Sequence, residues 1–437
     1  MKLIRSPWLS AITALVVGVS IGIASSVHAE RVETRLPVDD VRMFSQVLER
    51  IKQAYVEDVE DSELIENAIE GMLSGLDPHS DYLTPEDFED LRESTRGEFG
   101  GLGIEISLDE TGFVRVVAPI DDTPAYRAGM QSGDLITLID DTPVKGMTIS
   151  DAVNLMRGRP GTDVTLTVAR EGENQPLEFE ITRDIIQVTS IRNRMIEPGV
   201  GYVRISQFQE RTGRDFVEAM ASLRDENEGA LDGLVLDLRN NPGGVLQASV
   251  DVVDALISQG LIVYTEGRLP NSASEFEANS DDPSDGVNLV VLINGGSASA
   301  SEIVAGAVQD HRRGVIMGTR SFGKGSVQTI LPLNDNHAIK LTTARYFTPN
   351  GRSIQAQGIE PDIIVNPGKL TQENGNPYYS EANLAGHLLG ENEEAGDEEA
   401  EESTEAESGA DNDLINDYQL YQAVTLLKGM RVLNASR

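Results

Sequence analysis

The run Gly295-Gly296-Ser297-Ala298-Ser299-Ala300-Ser301-Glu302 carries three hydroxyls among residues too small to hinder them. A hydroxyl becomes a useful nucleophile only when a base removes its proton. A candidate base lies downstream in Ser321-Phe322-Gly323-Lys324-Gly325-Ser326-Val327-Gln328, where one lysine sits between two glycines in an otherwise uncharged run. Burial disfavours the ammonium form and so frees the amine to take a proton. Glycine on each side lets other backbone approach closely, which suits a side chain threaded into a crowded site. Each motif also has a plainer reading: a Gly/Ser turn with a serine N-cap, and a solvated surface lysine.

The hydroxyls need a support. Before them Val287-Asn288-Leu289-Val290-Val291-Leu292-Ile293-Asn294 reads as a buried strand, and after them Ile303-Val304-Ala305-Gly306-Ala307-Val308 has helical spacing. The serines therefore fall at a helix N-terminus, where unpaired N–H groups and the helix dipole favour developing negative charge. From Gly199 onward strands and helices alternate: strands at 201–205, 233–239 and 261–265, helices at 214–224 and 245–257. That alternation predicts an α/β core with helices packed on a sheet. The strand at 233–239 runs into Asn240-Asn241-Pro242-Gly243-Gly244. His311 and His337 lack a Ser/His/Asp context, and His79, beside Pro78, reads as a turn residue.

The two motifs together resemble those of the carboxy-terminal processing (tail-specific) protease family, serine peptidases with a Ser–Lys dyad, over nearly the whole chain after its first forty residues. The resemblance implies an α/β fold: a ClpP/crotonase-like protease core with an inserted β-rich PDZ domain and terminal helical segments. It makes Ser299 the nucleophile, Lys324 the general base and Gln328 the residue that orients the lysine. It places one oxyanion donor at the amide of Ala300 and the other at Gly243 or Gly244, with the choice between the glycines open. No metal or organic cofactor is implied. Glu302 and Asp310 also match family positions and are expected to be structural.

The stretch from Gly97 to about Arg183 resembles a PDZ domain. In Gly100-Gly101-Leu102-Gly103-Ile104-Glu105-Ile106, Gly101, Leu102, Gly103 and Ile104 match the loop whose amides bind a peptide's terminal carboxylate, and the following strand is the edge to which the peptide adds. Pro124 to Asp134 and Val164 to Arg170 match the middle and last strand of bacterial PDZ domains. Nothing in these glycines resembles a Walker loop or a full dinucleotide fingerprint. An arginine near Arg157 links peptide occupancy to activation in some relatives; a solvated charge beside a turn is the alternative.

The remaining sequence sets the organisation. Residues 1–29 read as a secretory signal, with Lys2 and Arg5 at the start, an apolar stretch, and Val27-His28-Ala29 as a cleavage pattern; an uncleaved anchor is the rival. Export to a bacterial periplasm follows, and the absence of cysteine excludes disulfides and thiolate metal sites. An N-terminal helical region (30–96) precedes the PDZ domain (97–184) and the protease core (185–368). An acidic linker (369–413), expected to be disordered, and a C-terminal helix (414–437) complete the chain. A formal charge of −37, with twelve acidic and no basic residues between Glu391 and Asp413, argues against nucleic acid as a partner. The expected partners are protein or peptide substrates held by their C-termini and, where required, an adaptor. The stripes Val41-Phe44-Val47-Leu48-Ile51-Tyr55 and Leu414-Tyr418-Tyr421-Val424-Leu427 must pack on the protease body or on another subunit, and relatives favour an oligomer through such helices. Pro270 to Gly286 reads as a polar loop over the substrate channel. Two other classes compete: an inactive PDZ scaffold, and a crotonase-type acyl-CoA enzyme, which an exported protein would not supply with CoA.

Overall fold

A computed structural model describes residues 37–435 except 110, 121, 270–271, 280–282, 335 and 371–413. The expected signal, the beginning of the N-terminal region and nearly all of the acidic linker lie outside the described residues. The chain divides into two compact units, Met1–Met72 and Leu73–Arg437.

The first unit holds the helix Val38–Ala54 and most of the helix Asp61–Ser74, close to the expected positions. Val41, Phe44, Val47 and Ile51 fall on one face of Val38–Ala54, and all are exposed. Lys52 and Asp61 pair at 2.7 Å between the two helices. An exposed pair of this kind adds little stability.

The core of the second unit is a six-stranded sheet among the described residues. Its order is Ile191–Glu197, Val200–Ile205, Gly233–Asp237, Asn288–Ile293, Val315–Gly318 and Ile363–Ile364, with the first pair antiparallel and the rest parallel. Strands buried on both faces need apolar residues in unbroken runs, and Leu289-Val290-Val291-Leu292-Ile293 supplies one. Leu289, Val291 and Ile293 face the helices Thr212–Glu226, Leu246–Asp254 and Ala300–Asp310. Val290 and Leu292 face Leu420, Ala423, Val424 and Leu427 of the helix Tyr418–Ala435. The C-terminal stripe is thus committed to the chain's own sheet, and each fully buried leucine there contributes about 1.5–3 kcal/mol. Arg239 clasps the same helix, donating to both Asp417 oxygens (2.9 and 2.7 Å) and to Asp237 (2.6 Å).

A second, antiparallel sheet was not announced by the strand–helix alternation. Its path is Asp81–Leu83, Ala338–Phe347, Leu261–Gly267 and Ser274–Glu277, with Ser326–Pro332 also paired to Ala338–Phe347. The stretch 270–286, expected as a loop, therefore contains a strand. Phe276 packs on the core while Glu275 and Glu277 face outward, the period-2 pattern of a half-buried strand.

The PDZ region forms its own sheet, ordered Ile104–Leu108, Val114–Pro119, Leu135–Ile139, Asp163–Ala169 and Leu177–Thr182. Val114, Val116, Ile136, Leu166 and Val168 make its core. The helix Ile149–Met156 packs beside it, its N-terminus closed by a Thr148–Asp151 capping box. Ile104–Leu108 lies at the sheet edge. Glu98–Gly101 pairs with Asp184–Gln187, so the chain enters and leaves the domain through one ribbon.

Candidate active site

Ser299 joins the strand Asn288–Ile293 to the helix Ala300–Asp310 with φ +56° and ψ −114°. A non-glycine residue held there stores about 1–3 kcal/mol of strain and persists only when its neighbours over-determine it. The neighbours are identifiable. Ala298 N–H and Ser301 Oγ both donate to the Asn241 carbonyl oxygen (2.9 and 3.0 Å), and Ser297 Oγ donates to Leu238 O at 2.7 Å. The hydroxyls of Ser297 and Ser301 are therefore buried and bound to backbone, whereas Ser299 is only half-buried. The buried Tyr346 hydroxyl donates to the Lys324 carbonyl oxygen and shares a hydrogen bond with Ser299. Burial, together with the Glu302 charge, pushes the Tyr346 phenol well above its ordinary value.

The Asn-Asn-Pro-Gly-Gly turn lies directly against this serine. A Cβ on Gly243 would come within 2.7 Å of Ser299 Cβ and 3.0 Å of Ala300 N, and its φ is +101°, so the position requires glycine. The two glycines differ in what their amides do. Gly243 N–H donates to Asn241 Oδ1 at 2.9 Å, while Gly244 N–H and Ala300 N–H have no acceptor among the described residues. Gly243 O accepts from Phe208 N–H at 2.9 Å, and across the trans peptide the Gly244 N–H points the opposite way.

Glu302 unites the serine and lysine segments. It is the third residue of the helix and fully buried, and its Oε2 accepts from Ser299 N–H (2.8 Å) and Lys324 N–H (2.9 Å). Its Oε1 accepts from Ser321 Oγ (2.6 Å) and Gly323 N–H (2.7 Å). Burial raises this carboxyl, opposed by those four donors.

Lys324 is half-buried, and burial lowers its pKa, helped by Lys340 and opposed by Asp77 and Glu302. Its ammonium makes no hydrogen bond among the described residues, so neither Ser299 nor Gln328 is bonded to it here. Gln328 donates through Nε2 to Ser326 Oγ (3.0 Å) and Thr342 Oγ1 (3.2 Å). His79 lies near enough for Lys324 to lower its pKa, although burial is the larger cause. His311 and His337 bond to Leu261 O and the Tyr82 hydroxyl, in no triad. Asp310 pairs with Arg352 and accepts from Asn350 N–H at 2.9 Å, a loop-holding role.

The PDZ residues form a separate site. The amides of Leu102 and Gly103 have no acceptor among the described residues, while their carbonyls accept from Ala125 and Ile120 N–H (both 2.9 Å). A cavity of about 180 Å³ lies beside them, walled by Leu102, Ile104, Ile106, Val153 and Met156. Its walls also include Gly101 and Arg157. Arg157 is not a free charge. It bonds Glu93 at 3.2 Å, pairs with Asp90 at 3.5 Å and lies 4.8 Å over the Phe99 ring, with Nε buried and unpartnered. It thereby ties the end of the PDZ helix to the helix Pro85–Arg96.

Glu302 takes the structural role expected of it by holding backbone, and Ser299-x-x-Glu302 has the capping-box spacing. Tyr346 and Thr342 carried no such signal, and the local turns of Asp77 and Asn241 did not reveal their remote partners, Thr342 and Ser301.

Comparison with known proteins gives the family. Peptidase family S41 matches residues 199–365, a PDZ domain matches 115–170, and the N-terminal domain of the activating protease CtpB matches 20–87. A carboxy-terminal-processing protease of Bartonella bacilliformis is 47% identical over 388 residues, covering 88% of each chain. The carboxy-terminal processing protease CtpB of Bacillus subtilis is 36% identical over 328 residues, covering 74% of this chain and 67% of its own. A solved photosystem II D1 C-terminal processing protease is 31% identical with a TM-score of 0.44, covering 74% of this chain and 92% of its own. The chain belongs to the carboxy-terminal processing proteases of peptidase family S41, serine proteases that carry a PDZ domain.

Proposed function

We propose that this protease cleaves by acyl transfer through Ser299 and Lys324, with its PDZ domain capturing substrate C-termini. The observation that carries the reading is the convergence on Glu302, whose one carboxylate holds both the Ser299 and the Lys324 backbone (2.8 and 2.9 Å). Lys324, neutral once buried, takes the Ser299 proton, and the alkoxide attacks a peptide carbonyl. The oxyanion lies between Ala300 N–H and Gly244 N–H, the two amides without an internal acceptor. Gly243 serves by lacking a side chain. The ammonium so formed then protonates the leaving nitrogen, and water hydrolyses the acyl-enzyme with the same lysine, neutral again, as base. Closing the Ser299–Lys324 contact requires the lysine side chain to swing, while its flanking glycines admit neighbouring backbone, which a Cβ on Gly325 would meet at 2.5 Å and one on Gly323 at 3.1 Å. Gln328 orients it there.

In the PDZ domain the unengaged Leu102 and Gly103 amides receive a terminal carboxylate, and the Ile104–Leu108 edge receives the peptide as an added strand. Arg157, bonded to Glu93, couples that groove to the helix before the domain. The sequence start supports export to the periplasm, and the exposed apolar face of Val38–Ala54 supports assembly through the N-terminal helices. Delivery of substrate by an adaptor is compatible with the PDZ groove.

The test uses purified full-length protein and labelled unfolded casein. Ser299→Ala abolishes cleavage and leaves the melting temperature near that of the parent. Ser297→Ala keeps the chemistry but melts earlier, because Leu238 O and Asn294 N–H lose their buried partner at a cost of about 1–3 kcal/mol. Undiminished cleavage by Ser299→Ala would refute the assignment.

A further inference from the structure

The turn Asp77–Ser80 stands outside the reaction described so far, yet it reaches Gln328 through a chain of hydrogen bonds. Asp77 Oδ1 accepts from His79 N–H (2.8 Å), Ser80 N–H (3.0 Å) and Thr342 Oγ1 (3.1 Å). Its Oδ2 accepts from Ser80 Oγ at 2.7 Å, and Ser80 Oγ in turn accepts from Thr342 N–H at 3.1 Å. Thr342 is the strand partner of Gln328. Its hydroxyl oxygen accepts from Gln328 Nε2 at 3.2 Å, and Ser326 Oγ accepts from the same nitrogen at 3.0 Å. Gln328 Oε1 has no donor among the described residues.

Proton counting fixes the direction of this chain. Burial would raise the Asp77 carboxyl, but the bonds from Ser80, His79 and Thr342 hold it below its ordinary value, so it is ionised at neutral pH. An ionised carboxylate only accepts, and a threonine hydroxyl has one proton. The Thr342 proton therefore goes to Asp77, and toward Gln328 the hydroxyl can only accept. The amide must present Nε2 to Thr342 and keep Oε1 for the opposite side. The distinction matters to a lysine base. A carbonyl beside a neutral amine accepts one of its N–H bonds and leaves the lone pair for the serine proton. An amide N–H turned toward the amine would occupy that lone pair.

We propose that Asp77 and Thr342 are positioning residues for the general base: the carboxylate sets the polarity of the Thr342 hydroxyl, and that hydroxyl sets which face of the Gln328 amide meets Lys324. The proposal rests on the reading of Ser299 and Lys324 as the dyad. The charged groups felt at Lys324 are Lys340, Asp77 and Glu302, with His79 also in reach, so the amine shares the neighbourhood of the Asp77 end of the chain.

The experiment measures kcat, KM and the pH profile of kcat/KM on labelled casein for full-length variants. Thr342→Val lowers kcat by about 10- to 100-fold, at or below the lower end of general-base contributions, with KM little changed. Thr342→Ser, which restores the hydroxyl, recovers most of the loss. The acid limb of kcat/KM moves to lower pH in Thr342→Val, because a flipped amide donates to the neutral amine and so favours it. In a Gln328→Ala background Thr342→Val has little further effect, since the hydroxyl acts through the amide. Equal losses in both backgrounds, an acid limb that stays put, or wild-type kcat in Thr342→Val would overturn the proposal. If Thr342→Val melts below the assay temperature, the comparison of Thr342→Ala with Thr342→Ser decides, and equal kcat for that pair overturns it. Lys324→Ala separates the two levels. If it remains active, the dyad falls and the positioning role with it; if it is inactive and the Thr342 losses are additive, only the positioning role falls.

Discussion

Replacing Glu302 by glutamine changes one oxygen of a carboxylate that serves four donors, and the geometry says which oxygen is lost. An amide nitrogen at the Oε2 position would face Ser299 N–H and Lys324 N–H (2.8 and 2.9 Å), two backbone donors that cannot turn. At the Oε1 position it would face Gly323 N–H (2.7 Å) and Ser321 Oγ (2.6 Å), and a hydroxyl can rotate to accept. The amide therefore turns its nitrogen toward Ser321, keeps both reactive segments bonded, and takes the acceptor from two donors, Gly323 N–H and the Ser321 O–H, whose oxygen also accepts from Ile359 N–H at 2.6 Å. Each buried unsatisfied donor costs about 1–3 kcal/mol, which in a domain of this size lowers Tm by about 2–12 °C. Activity falls modestly, because Ser299 and Lys324 keep their acceptor. Glu302→Ala strips all four donors and releases the strained Ser299 backbone, so its loss of both Tm and kcat is much larger. Thermal melting and casein cleavage, measured on the parent and both variants, provide the check. A glutamine variant as inactive as the alanine one, or an alanine variant as stable as the parent, would refute the reasoning.

Two further outcomes follow from the reaction proposed above. In that reaction Gln328→Glu sets an anion beside Lys324 and raises its pKa; the acid limb of kcat/KM then moves to higher pH, with folding checked at each pH. An unmoved acid limb in an active variant would exclude Lys324 as base or Gln328 as its neighbour. Peptides with a free C-terminus bind the PDZ groove more tightly than C-amidated copies, because the Leu102 and Gly103 amides lose an anionic acceptor; equal titration curves by fluorescence anisotropy would contradict the carboxylate site.

Local patterns alone determined much of this protein. The apolar run 287–294, the small residues after it and the helical spacing from 303 placed a serine at a strand-to-helix turn, because buried strands and helix N-termini leave periodic signatures in composition. The Gly100–Ile106 loop was legible through its resemblance to PDZ domains. Tertiary structure decided what local pattern cannot contain. It set Ser299 apart from its two neighbours, since only packing commits the Ser297 and Ser301 hydroxyls to the Leu238 and Asn241 carbonyls. It set the Asn-Asn-Pro-Gly-Gly turn against the serine, where a Cβ on Gly243 would meet Ser299 Cβ at 2.7 Å. It gave the C-terminal stripe to the chain's own sheet and built a strand in the 270–286 stretch. It brought Asp77 to Thr342 across 265 residues of sequence. Hydrogen bonds between remote segments depend on how the chain closes in three dimensions, and no periodicity in the sequence records that closure.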